Sequence, residues 1–345
     1  MTLDINLYDY DLPEGMIALY PAEPRDNSRL MYLPREAGEP EHGRFSDLSE
    51  YLREGDLLVL NDSRVFPARL RGKKKGTGGK VEIFLLEKSV DGSWEALVRP
   101  GRRLPPGTDI EFGDRFSATL GERTNSGGRI VMFHNNGDLM SLIWKHGEVP
   151  LPPYISRPAE EDDKARYQTI YAEITGAVAA PTAGFHFTES VFEKLSEMGV
   201  EITRLTLHPG LGTFRPITKS DISQHRMHPE KFMIPQETAN RINKAKCERR
   251  RVIAVGTTTA RALESSSVPG GEVKASDWQG TELFIRPPYE FKAIDGLLTN
   301  FHLPKSTLLL LVSALAGRER TLSAYHQAIK EKYRFYSYGD AMLIL

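Results

Sequence analysis

Between Arg64 and Trp144 the chain carries a dense series of short strand-like runs with no convincing helix among them. That feature constrains the fold more than any other. The runs are Lys80–Leu86, Trp94–Arg99, Thr108–Phe112, Phe116–Leu120 and Arg129–Phe133, parted by the turn-forming stretches GKKKGTGG, DG, PPG, FGD and NSGG. Apolar and β-branched residues at that spacing, with glycine and proline between them, predict a small antiparallel barrel or sandwich. Leu139–Lys145 is its one candidate helix.

On either side the pattern changes. Phe45–Arg53 spaces Phe45, Leu48 and Leu52 like one face of a short helix, and Asp56–Asn61 reads as an apolar strand. After the proline-rich joint Gly147–Tyr154, Thr188 is a good N-cap for a helix whose Val191, Phe192, Leu195 and Met198 share a face, and Gly199 stops it. Then follow a strand at Val200–Leu207, a helix at Gln236–Arg250 and a strand at Arg251–Val255. A helix starts within Gly256–Thr259 and runs to Ser266, before a strand at Glu282–Arg286 and a helix at Leu322–Lys332. This order predicts an α/β core, a mixed sheet with helices, built from residues 1–60 and 150–345. The β-barrel of residues 61–149 is inserted into it.

Composition narrows the setting. The single cysteine, Cys247, excludes an intramolecular disulfide and a cysteine zinc cluster. The acidic opening MTLDINLYDY lacks the basic and apolar regions of a signal peptide, and Leu308–Gly317 is too short to span a bilayer. A cytoplasmic protein with no membrane partner, acting as a monomer, is the expectation. The net charge of −1 conceals a strong asymmetry. Residues 1–63 hold 5 Lys/Arg against 14 Asp/Glu, residues 64–103 hold 11 against 4, and residues 241–251 hold 6 against 1. Segregated charge of this kind points to a partner that net charge hides.

The basic segment Arg64–Lys80 places Arg64, Arg69, Arg71, Lys73, Lys74, Lys75 and Lys80 around a flexible glycine-rich tip. Such a tip can lie along a phosphate backbone, or can be a solvated hairpin whose charges serve solubility. Arg99, Arg102 and Arg103 extend the positive charge, and Trp94 is a candidate stacking platform. His208–Phe214 (HPGLGTF) allows close approach of backbone N–H groups to a ligand, or is an ordinary strand-end turn; it lacks the third glycine of a dinucleotide fingerprint. Val255–Arg261 (VGTTTAR) runs a strand into a helix whose threonines either bind a ligand or cap the helix itself. His186 sits between two aromatics in PTAGFHFT, as a positioned base or as a satisfied semi-buried residue. His225 and His228 have no obvious third ligand, so no metal site is expected. Asn300–Pro304 looks structural, with His302 as a side candidate.

Together these segments resemble the S-adenosylmethionine:tRNA ribosyltransferase-isomerase family of the queuosine pathway. The matching stretches include NDSRVFPARL (61–70), GEVPLPPYI (147–155), GAVAAPTAGFHFT (176–188), LHPGLGTFRPI (207–217), VGTTTARALE (255–264), TNFHLPKSTLLLLVSAL (299–315) and YRFYSYGDAML (333–343). Pro209 stands where valine is usual. The resemblance implies transfer and isomerisation of the ribosyl part of S-adenosylmethionine onto 7-aminomethyl-7-deazaguanine at the tRNA wobble position. The product is epoxyqueuosine-tRNA, with adenine and methionine released. S-adenosylmethionine is then a consumed cosubstrate, with no prosthetic group and no metal. The alternatives are a non-catalytic tRNA-binding protein and an S-adenosylmethionine-dependent tRNA methyltransferase. Chemistry of this kind needs a base and an acid. His186 and His208 are the candidates, with Glu173 and Asp340 behind them. Cosubstrate binding is expected at Gly210, Gly212, Thr213, Thr257 and Thr258, with Phe214 or Phe185 facing adenine or the sulfonium. Phosphate contacts are expected at Arg64, Arg69, Arg71, Lys73, Lys74, Lys75 and Arg102.

Overall fold

A computed structural model describes residues 4–345 except 102, 114, 126, 211–220, 223 and 224. Its centre is the apolar strand Leu57–Asn61, buried at every position. Two strands flank it in parallel, Glu201–His208 and Val252–Val255, and Gly296–Asn300 lies parallel beyond the latter. Strands covered on both faces read as continuous apolar runs, which is why DLLVLN and RVIAV are legible. Ala341–Ile344, Arg29–Leu33 and Glu41–Arg44 extend one side of the sheet. Glu230–Ile234 and Ser276–Thr281 extend the other, antiparallel, making nine strands.

Alternation along the strands divides the core in two. Leu57, Val59, Leu205 and Ala254 face the helices Gln236–Cys247, Thr257–Ser266, Thr307–Ala316 and Arg318–Lys330. Leu58, Leu60, Ile253 and Val255 face Phe45, Leu48 and the helix Glu189–Glu197, which Thr188 caps through the Val191 amide. The apolar run near residue 310 is the helix Thr307–Ala316, buried on nearly all sides within the protein. No helix among the described residues is long and apolar enough to cross a membrane.

The second sheet draws its strands from Arg69 to Glu148. Arg69–Lys74, Lys80–Lys88, Trp94–Arg99, Arg129–His134, Phe116–Arg123 and Thr108–Gly113 pair in that order, and the last pairs back onto the first to close a six-stranded antiparallel barrel. The two-residue strand Gly147–Glu148 adds to Arg69–Leu70. Closure depends on Gly72: a Cβ there would lie 2.6 Å from Ile110 Cγ2 and 2.9 Å from the Glu111 carbonyl. The parallel pair Ser63–Val65 and Ile174–Ala177 and the Lys231–Glu87 ion pair tie the barrel to the main sheet.

Three local expectations change. Arg69–Lys74 is a strand where its glycine and charges predict a flexible tip, because its polar residues face out while Leu70 fills the barrel. Trp94 is 5% exposed, packed inside the barrel with its ring centroid 5.6 Å from that of Phe66, so it offers no surface for stacking. The edge strand is Ser276–Thr281 rather than Glu282–Arg286. Pairing with Glu230–Ile234 supplies what its polar sequence does not advertise.

Candidate active site

The carboxyl ends of parallel strands are where open α/β sheets form ligand crevices, and the end of Val252–Val255 shows how this sequence makes one. Gly256 turns the chain at φ +94°, a conformation that favours glycine, and the helix Thr257–Ser266 begins at once with no side-chain cap. Thr259 turns back to donate to the Val255 carbonyl at 2.7 Å. Thr257 and Thr258 instead line a narrow cleft with about 50 Å³ of water-accessible space. Thr299, Asn300 and His302, from the end of the neighbouring strand, line it with Thr182, Tyr154 and Ser337.

Behind this wall runs a buried relay. Asn300 accepts from Thr182 Oγ1 at 2.9 Å, and its amide nitrogen donates to His186 Nε2 at 3.0 Å. That assignment leaves His186 Nδ1 to donate to Ser28 Oγ at 2.7 Å. The ring, 4% exposed, stacks on Phe45. Burial, helped by the charges of Arg334 and Arg25, holds its pKa down to about 3. His186 is therefore a neutral residue with both nitrogens engaged, supporting the cleft from behind. His302 is in the wall itself. Its Nε2 lies 2.9 Å from Thr299 Oγ1, its Nδ1 has no hydrogen-bond partner among the described residues, and burial lowers its pKa to about 3.

His208 ends Glu201–His208, which Leu57–Asn61 separates from Val252–Val255. Its Nδ1 meets Ser63 Oγ at 2.7 Å, and its ring stacks on Trp278 at 4.8 Å. Gly176 makes room for it, since a Cβ there would fall 2.7 Å from His208 Cδ2. Burial first, then the charge of Lys231, bring its pKa to about 4. Asn61 clamps the two strand ends by bonding both backbone groups of Leu207 and the Ser63 amide. Beyond Pro209, the Gly210 amide donates to Glu230 at 3.2 Å, and Glu230 is ion-paired with buried Arg261.

Other expected residues lie elsewhere. Glu173 is exposed and pairs with Arg204 at 3.6 Å, in a shallow groove with Tyr171 and Phe192. Asp340 is buried and accepts from the Arg29 and Arg334 amides at 2.9 and 2.7 Å, which gives its carboxylate a structural task. Phe185 is buried against Tyr167 and Tyr338. Gly212, Thr213, Phe214 and Arg102 lie outside the described residues. On the barrel, Arg69, Arg71 and Lys73 alternate along one outer face. Arg71 pairs with Glu148 at 2.8 Å and Glu82 at 3.5 Å, while Lys73 and Lys75 are exposed. Arg64 lies over the Trp144 ring at 5.3 Å. Ser63, Asn61 and Thr299 are the contributors that motif reading passed over; Asn61 and Ser63 stand beside the basic run in NDSR, the signal that could have found them.

The family model described as "Queuosine biosynthesis protein" matches residues 5–344. The chain belongs to that family. The S-adenosylmethionine:tRNA ribosyltransferase-isomerase of Heliobacterium modesticaldum is 53% identical over 99% of this chain and all of its own length. The protein of the same name from Halothermothrix orenii is 52% identical at the same coverage. Among solved structures, the S-adenosylmethionine tRNA ribosyltransferase of Thermotoga maritima is 37% identical, covers 98% of this chain with all of its own, and superposes with a TM-score of 0.55. As a member of this queuosine biosynthesis family, the chain is a ribosyltransferase-isomerase acting in tRNA modification. Among the described residues no cluster of His, Cys, Asp or Glu is suited to a metal ion.

Proposed function

We propose that this chain moves the ribosyl part of S-adenosylmethionine onto 7-aminomethyl-7-deazaguanine at the wobble position of tRNA, and that the cleft at Thr257, Thr258, Asn300 and His302 holds the cosubstrate. The convergence of these four residues from two adjacent strand ends carries the reading. Hydroxyl and amide groups there suit ribose hydroxyls and a carboxylate, and the uncapped helix start favours an anion. Arg64, beside the barrel, and the barrel's Arg69, Lys73, Lys74 and Lys75 provide the phosphate-binding face, with Arg71 already shared between two glutamates.

Chemistry begins with transfer of a proton from the carbon beside the sulfonium to a base, and adenine then departs, taking that proton back from the same group. A neutral imidazole is the proton-accepting form. His302, in the cleft wall with Nδ1 unengaged among the described residues, is the base in this reading. His208 stands beside the cleft through Pro209 and is held neutral, so it is no proton donor, and His186 positions Asn300 instead of touching substrate.

Purified protein, S-adenosylmethionine and tRNA carrying the deazaguanine should together release adenine and methionine. Production of S-adenosylhomocysteine would mark a methyltransferase, and binding without turnover would mark a non-catalytic RNA-binding protein; either result overturns the reading.

A further inference from the structure

Trp278 is the one tryptophan of three that stands exposed: Trp94 is inside the barrel and Trp144 is half-buried beneath Arg64. It keeps 46% of its surface open, on the edge strand Ser276–Thr281. A large apolar ring on a sheet edge invites unwanted pairing, so its presence there calls for an occupant.

Its surroundings hold the indole in one orientation. The His208 ring stacks against it at 4.8 Å with planes 27° apart, and Ser63 fixes that imidazole. The pair therefore presents a supported aromatic surface, which costs little side-chain entropy to use.

Its location indicates what stacks there. His208 is register-paired with Lys231, and Lys231 reaches across to Glu87 of the barrel. The indole thus stands at the seam between the cleft-bearing sheet and the domain that carries the basic strand. Pro209, next to His208, lines the cleft. An RNA loop that rests its phosphates on the barrel and sends one nucleotide to the cleft must cross this seam with bases unstacked. Unstacked loop bases are recognised by aromatic platforms.

We propose that Trp278, backed by His208, is a stacking platform for an unpaired nucleobase of the substrate RNA, next to the nucleotide being modified. This rests on the tRNA-modifying reading above.

The test uses the full chain and an anticodon stem-loop RNA with ordinary guanine at the wobble position, so that no chemistry intervenes. Binding should quench intrinsic tryptophan fluorescence, and Trp278→Phe should lose most of that quench. Trp278→Ala should weaken RNA binding about 5- to 100-fold. Trp278→Tyr should stay near wild type, and the salt dependence of binding should be unchanged because no phosphate contact is removed. If wild-type protein binds this RNA while Trp278→Ala binds equally well, the platform is wrong and the tRNA reading stands. If wild-type protein does not bind it at all, both fall. If Trp278→Ala instead abolishes self-association and leaves RNA binding intact, the ring is a contact between copies and the proposal is overturned.

Discussion

The two nitrogens of His186 are spent on Ser28 and Asn300, residues 158 and 114 positions away in the chain. His186→Ala would leave the Asn300 amide and the Ser28 hydroxyl without their buried partner, a loss of about 1–3 kcal/mol. The expected outcome is kcat reduced about tenfold or more as Asn300 loosens, with RNA affinity unchanged, measured by single-turnover adenine release. Gly176 gives a second test. In Gly176→Ala the new methyl meets the His208 ring, which must leave Ser63 or Trp278. Misplacement on the order of 1 Å costs about 100-fold in rate, so kcat/KM should fall by roughly that factor while the protein stays folded. Sequence alone placed His186 between aromatics but could not show that both nitrogens were occupied, because those partners come from distant elements. It likewise leaves His302 a side candidate only, since nothing local reveals that Asn300–Pro304 follows a strand end at the cleft.

Elements were legible where local chemistry sufficed. Trp94–Arg99 is observed with its expected bounds, and Glu189–Glu197 is capped by Thr188 as its sequence requires. Arg69–Lys74 is harder to read because a barrel strand alternates outward charge with inward apolar residues, and here Gly72 breaks the alternation to let Ile110 approach. Gly72→Val should overpack that junction and destabilise the protein by about 1–3 kcal/mol, seen as a lower urea midpoint; an unaffected midpoint would contradict closure at this strand. On the same element's outer face and adjoining turn, replacing Lys73, Lys74 and Lys75 with Gln should weaken tRNA binding and flatten its dependence on salt. An unchanged salt slope would remove the barrel face from the RNA-binding surface.

Across the whole molecule, buried neutral histidines link folding to pH. His186 and His302 are held near 3 in the folded protein, against about 6.5 when exposed. Above about pH 6.5 both states are neutral and these residues add no pH dependence. As pH falls from there toward 3, the unfolded chain gains the protons and the folded state does not. Stability therefore drops by about 1.4 kcal/mol per pH unit for each histidine, which urea unfolding between about pH 7 and 4 measures. A flat profile would contradict the buried relay. The near-neutral net charge of −1 also resolves at this scale into an acidic opening segment and a basic barrel strand facing solvent. The most direct test of the whole account is a crystal structure with S-adenosylmethionine bound. The account predicts the adenosyl group against Thr257, Thr258 and Asn300, with His302 within reach of the carbon beside the sulfonium. Density for the cosubstrate outside this cleft, such as in the groove at Tyr171, Glu173 and Arg204, would contradict it.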